Sequence, residues 1–154
     1  MTTDTQELDN AELALLGSAI LTGARGLDEL DFDPSDFRAP VLEHAWRTLT
    51  DMSREGKPVD QVSVWAELAK SEMRTDPTLL HRAVEAAPSG ASIAHYAGIV
   101  SEHAARTRLR QVGGIIAGLA DQPGDVDALI EDARRKLDAY GRCLLYTSPS
   151  PRDS

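Results

Sequence analysis

Two apolar stripes joined by a short break constrain this sequence more than any other feature. From Ser92, apolar side chains recur at Ile93, Tyr96, Ala97, Val100 and Ala104, and continue through Leu109, Val112, Ile116 and Leu119. The recurrence, interrupted only by the five-residue step from Ala104 to Leu109, predicts a helix far longer than the usual three or four turns. Asp121-Gln122-Pro123-Gly124 interrupts the pattern. After Asp125, a good cap, Val126, Leu129, Ile130, Ala133, Leu137 and Tyr140 resume it. A long helix, a short turn and a second helix predict an antiparallel helical hairpin. A small domain offers too little surface to cover both faces of such a hairpin, so it is expected to project and meet another subunit.

The preceding residues read as a compact bundle of shorter helices. Asn10 is a suitable N-cap for a first helix from Ala11 to Leu21, with Leu13, Leu16 and Ile20 on one face and Gly23 as the stop. An acidic connector follows, Gly26 to Phe37, in which Leu27, Leu30, Phe32 and Phe37 would pin the chain to the core. A second helix is expected from Pro40 to about Arg54, with Leu42, Ala45, Trp46, Leu49 and Met52 in register and Gly56 after it. Asp60 or Ser63 caps a third helix that turns Val64, Trp65 and Leu68 inward. A fourth, with Pro77 at its first position after Asp76, carries Leu79, Leu80, Ala83, Val84 and Ala87 and stops at Pro88-Ser89-Gly90. The fold class is therefore all-α, a small orthogonal bundle over 11–90 followed by the hairpin over 92–140. Abundant alanine and few aromatic residues disfavour strands.

Both ends depart from this pattern. Met1 to Asn10 is polar and acidic, lacks the basic and apolar halves of a signal peptide, and is expected to be flexible. Residues 141–154, GRCLLYTSPSPRDS, show no helical period and read as an unstructured, non-native tail. Gly113, Gly114 and Gly118 lie inside the long stripe, where each costs about 1 kcal/mol relative to alanine. Either another helix approaches closely there, or the long helix is kinked or frayed.

Charge and motifs exclude most chemistry. The net charge of −9 is uneven, with 13 acidic and 5 basic residues among the first sixty. That front would repel a phosphate backbone. Arg106, Arg108 and Arg110, and again Arg134, Arg135 and Lys136, read as solvated helix faces. The Gly56-Lys57 pair is followed by Pro58 and has no glycine five positions earlier, so there is no phosphate-binding loop. His44, His81, His95 and His103 lack metal-ligand spacing, and zinc would want paired cysteines where only Cys143 stands. No nucleophile motif occurs. Neither a catalytic residue nor a bound cofactor nor a metal is expected. The lone cysteine and the lack of an apolar run long enough to span a bilayer point to the cytoplasm.

Three stretches together resemble the N-terminal domain of DnaB-like replicative DNA helicases. They are AELALLGSAIL at Ala11–Leu21, REGKPVDQVSVWAEL at Arg54–Leu68 with its Gly-x-Pro-hydrophobic-Asp turn, and APSGASIAHYAGIVSEHAARTRL at Ala87–Leu109. Two departures are Ser71–Thr78, in place of a Gly-Gly-x-x-Tyr-Leu segment, and Ser92, where asparagine is common. A phage or plasmid helicase is included in the resemblance.

The resemblance implies a fragment of the primosome's helicase, an assembly domain that forms dimers building to a hexamer and receives primase and a helicase loader. ATP, magnesium and DNA translocation would belong to a separate C-terminal domain. The residues expected at a subunit or partner interface are Arg106, Leu109, Arg110, Val112, Ile116, Leu119, Leu129, Ile130 and Leu137. Their competing role is packing between the two hairpin helices. A free-standing helical adaptor without an ATPase is the alternative function, and a stop codon directly after the helical region would favour it.

Overall fold

The structure is a computed structural model that describes residues 2–88 and 93–147, with side chains for 5–88 and 93–140. Among these residues there are six α-helices and no strand: α1 (Thr2–Leu21), α2 (Pro40–Arg54), α3 (Gln61–Ala69), α4 (Leu79–Ala86), α5 (Ile93–Leu119) and α6 (Val126–Thr147). Two single 3-10 turns, Leu27–Glu29 and Pro34–Asp36, lie in the connector between α1 and α2. The chain divides into two compact units, residues 1–101 and 102–154, with the boundary inside α5.

In the first unit α1 is central. Leu15, Leu16, Ala19 and Ile20 are buried in one core with Leu42, Trp46, Leu49 and Met52 of α2, Val64 and Leu68 of α3, and Leu79, Leu80 and Ala83 of α4. Ala97 and Val100, near the start of α5, belong to the same core. All five apolar positions expected on α2 are buried, with Pro40 at its first turn. Phe37 is buried, and Leu27, Leu30 and Phe32 pack against the core as partly buried pins. Phe32 stands edge-on to both Phe37 and Trp46, with ring centroids 5.3 and 5.2 Å apart, a favoured aromatic geometry.

Local chemistry sets the helix ends. At the end of α1 the Ala24 N–H donates to the Ala19 carbonyl at 2.8 Å and the Gly23 N–H to Ile20 at 3.0 Å, with Gly23 left-handed at φ 63°. This is a Schellman closure. It recurs after α2, where Lys57 N–H donates to Met52, Gly56 N–H donates to Ser53, and Gly56 has φ 75°. Of the two caps expected for α3, Asp60 serves: its carboxylate accepts from the Ser63 N–H at 2.8 Å.

Three expectations need correction. α1 does not begin after Asn10 but at Thr2. Leu8 is buried on the core face, and Asp9 pairs with Arg38, so tertiary contacts carry the helix back through a good capping residue. The fourth helix starts after Thr78 rather than at Pro77, because Asp76 accepts from the Thr78 N–H at 2.9 Å and holds the chain in a turn first. α6 does not stop near Tyr140 but continues to Thr147, into the segment read as unstructured. Leu144 and Leu145 are good helix formers, and Gly141 is accommodated within the helix. The expectations for residues 148–154 and for Ser89 and Ser92 lie outside the described residues.

Candidate assembly surface

In the second unit, the distal part of α5 is followed by a break and then α6, so the chain reverses. The Tyr140 hydroxyl donates to the Ala105 carbonyl at 2.7 Å across 35 positions of sequence. This contact and the turn near Gly124, whose φ of 129° suits glycine, fix the two helices antiparallel.

Burial divides the nine expected interface residues. Leu119 is buried, and Val112, Ile116 and Leu129 are half-buried. These four are the more covered of the nine. Leu109, Ile130 and Leu137 are 52%, 47% and 48% exposed, and Arg106 and Arg110 are exposed as well. Two further apolar residues, Val126 at 65% and Ile115 at 52%, are open and were not among those expected. Val126 opens the apolar stripe of α6, which was the available signal for it. Ile115 falls outside the stripe of α5, and no periodic signal marks it.

Helical rotation relates the open residues to one another. On α5, Leu109 is turned about 70° from the seam defined by Val112 and Leu119; on α6, Val126, Ile130 and Leu137 are turned by a similar angle, in the same sense, from Leu129 and Tyr140. Antiparallel helices rotated in the same sense present those residues on one side of the hairpin. The apolar stripe of α6 is thus only half covered within the chain.

The charged rim is largely self-paired. Arg106 reaches Glu102 at 3.3 Å, Arg134 reaches Glu131 at 3.5 Å, and Arg135 reaches Asp132 at 3.4 Å, each one helical turn away. Exposed pairs of this kind contribute little stability. Their pairing agrees with solvated helix faces. At Gly113, Gly114 and Gly118 an added β-carbon would meet nothing within 4 Å, and α5 runs through them as one helix. Neither a close approach within the chain nor a break in the helix accounts for these glycines.

The first unit holds a polar cluster that no sequence spacing announces. Glu12 of α1 is 2% exposed. Its carboxylate accepts from the Arg38 backbone N–H at 2.7 Å, from Nε at 3.1 Å and from Nη2 at 2.9 Å. Asp9, more exposed, also pairs with Arg38. Burial works against the Arg38 charge, but the hydrogen bonds and charges of Glu12 and then Asp9 outweigh it and raise its pKa. The cluster ties α1 to the residue before the α2 cap. It borders a cleft of about 410 Å3 with an apolar floor that includes Leu13, Val41 and Leu79.

His81 pairs with Glu85 at 3.2 Å on one helix, and among the described residues no group of three His, Cys, Asp or Glu side chains is placed to hold a metal ion. No described helix is long and apolar enough to cross a membrane.

Comparison with known proteins agrees with this architecture. Residues 4–102 match the family model described as DnaB-like helicase N terminal domain. The chain is 29% identical over 148 residues to the replicative DNA helicase DnaB of Mycobacterium leprae, covering 92% of this chain and 24% of that protein. It is 30% identical over 132 residues to the DnaB of Geobacillus stearothermophilus, covering 82% of this chain and 29% of that protein. The chain thus spans about a quarter of the length of these relatives. The crystal structure of the N-terminal domain of DnaB helicase from Mycobacterium tuberculosis superposes with a TM-score of 0.72 at 26% identity, over 84% of this chain and 95% of that one.

Proposed function

The chain belongs to the DnaB-like helicase N-terminal domain family, and from that premise we propose that it is the assembly domain of a replicative DNA helicase. It joins subunits through one side of its hairpin and offers a docking platform for primase and the helicase loader during DNA replication in the cytoplasm. ATP, magnesium and DNA are handled by other parts of the helicase.

The observation that carries this reading is the open apolar side of the hairpin. Leu109, Val126, Ile130 and Leu137 are each about half exposed or more, and grouped apolar side chains left in water mark interaction surfaces. Covering them recovers about 25 cal/mol per Å2 of apolar area. A twofold axis would bring each patch against its own copy, so that one self-complementary surface serves both subunits. Arg106 and Arg110 form the rim, while Val112, Ile116, Leu119 and Leu129 hold the two hairpin helices together.

Light scattering on the purified chain across a concentration series tests self-association. The expected mass is a multiple of the 16.7 kDa chain, and a strictly monomeric mass at tens of micromolar contradicts it. Titration with the primase encoded in the same genome tests docking, with a saturable complex as the expected result.

A further inference from the structure

We draw no further inference here: the strongest candidate, the cleft between α1, the start of α2 and α4, is bordered by Arg38 and Arg82, both already paired with carboxylates, and nothing in the structure shows what covers its apolar floor.

Discussion

Gly17 of α1 packs directly against the backbone of Ala83 in α4: a β-carbon at position 17 would stand 1.9 Å from the Ala83 carbonyl oxygen and 2.5 Å from its carbonyl carbon. Backbone cannot rotate aside as a side chain can. Gly17 therefore sets the separation of the two helices at the middle of the core, and Leu16, Ala19, Leu80 and Ala83 pack as they do because α1 and α4 approach so closely.

Gly17→Ala is expected to destabilise the chain by about 3 kcal/mol, the upper end of overpacking costs, because relief requires the helices to part. Urea denaturation followed by circular dichroism reads this as a lower midpoint. An unchanged midpoint would mean that α1 and α4 are not in contact there.

Gly113→Ala should act in the opposite direction. Nothing lies within 4 Å of the added methyl group, and alanine gains about 1 kcal/mol over glycine in a helix interior. A higher melting temperature is the expected outcome. A fall would show that the glycine is needed in a conformation other than the helix.

Arg38→Ala should cost more than Asp9→Ala. Removing Arg38 strips the buried Glu12 carboxylate of both guanidinium hydrogen bonds, a loss of about 2 kcal/mol for a buried acceptor left short of partners. Asp9 is largely exposed, and its pair with Arg38 is worth less than about 1 kcal/mol. A double-mutant cycle for Glu12 and Arg38 should show the larger coupling. Equal coupling energies for the two acids would overturn this ranking.

Acid should weaken the N-terminal ends of α3 and α4. The Ser63 backbone N–H and then its hydroxyl hold the Asp60 carboxyl below the usual carboxylate range, and Thr78 does the same for Asp76. A depressed pKa in the folded state means that this contribution is present above the unfolded value of about 3.9. It is lost as pH falls through the lower, folded values. Denaturation midpoints measured from neutral pH downward should therefore drop less steeply for Asp60→Asn than for the parent chain. Identical slopes would remove the cap from the account.

Tyr140→Phe deletes the hydroxyl that donates to the Ala105 carbonyl and should cost about 1 kcal/mol. The effect belongs to the second unit. Hydrogen exchange should quicken in α6 while the amides of α1 and α2 keep their protection, whereas uniform acceleration would place the contact in the global core.

How much of this was legible in the sequence depends on the range of the interaction. The stripe Leu42, Ala45, Trp46, Leu49 and Met52 is buried as its spacing predicts, because α2 opens on Pro40, closes at the left-handed Gly56 and is amphipathic by local pattern. Asp60, Gly23 and Gly56 also act where they stand in sequence. The start of α1 was hidden because Asp9 pairs with Arg38, 29 positions along the chain, and Leu8 is buried, while a local cap at Asn10 looked sufficient. Glu12 and Arg38 lie 26 positions apart, so no periodicity could join them.

At the hairpin, periodicity picked out the apolar stripes but not which part of each the partner helix covers. Leu119 and Leu137 look alike in sequence, yet one is buried and the other open. That division depends on the rotation of α5 against α6, which local pattern does not encode.

Sedimentation equilibrium on the parent chain and on the Ile130→Glu/Leu137→Glu variant tests the assembly role most directly. Both side chains are about half exposed, so the variant should keep its helical circular dichroism. The account predicts a parent chain that reversibly associates to at least twice its 16.7 kDa mass, and a variant that stays monomeric at the same concentrations. A monomeric parent, or a folded variant that associates as tightly as the parent, would contradict it.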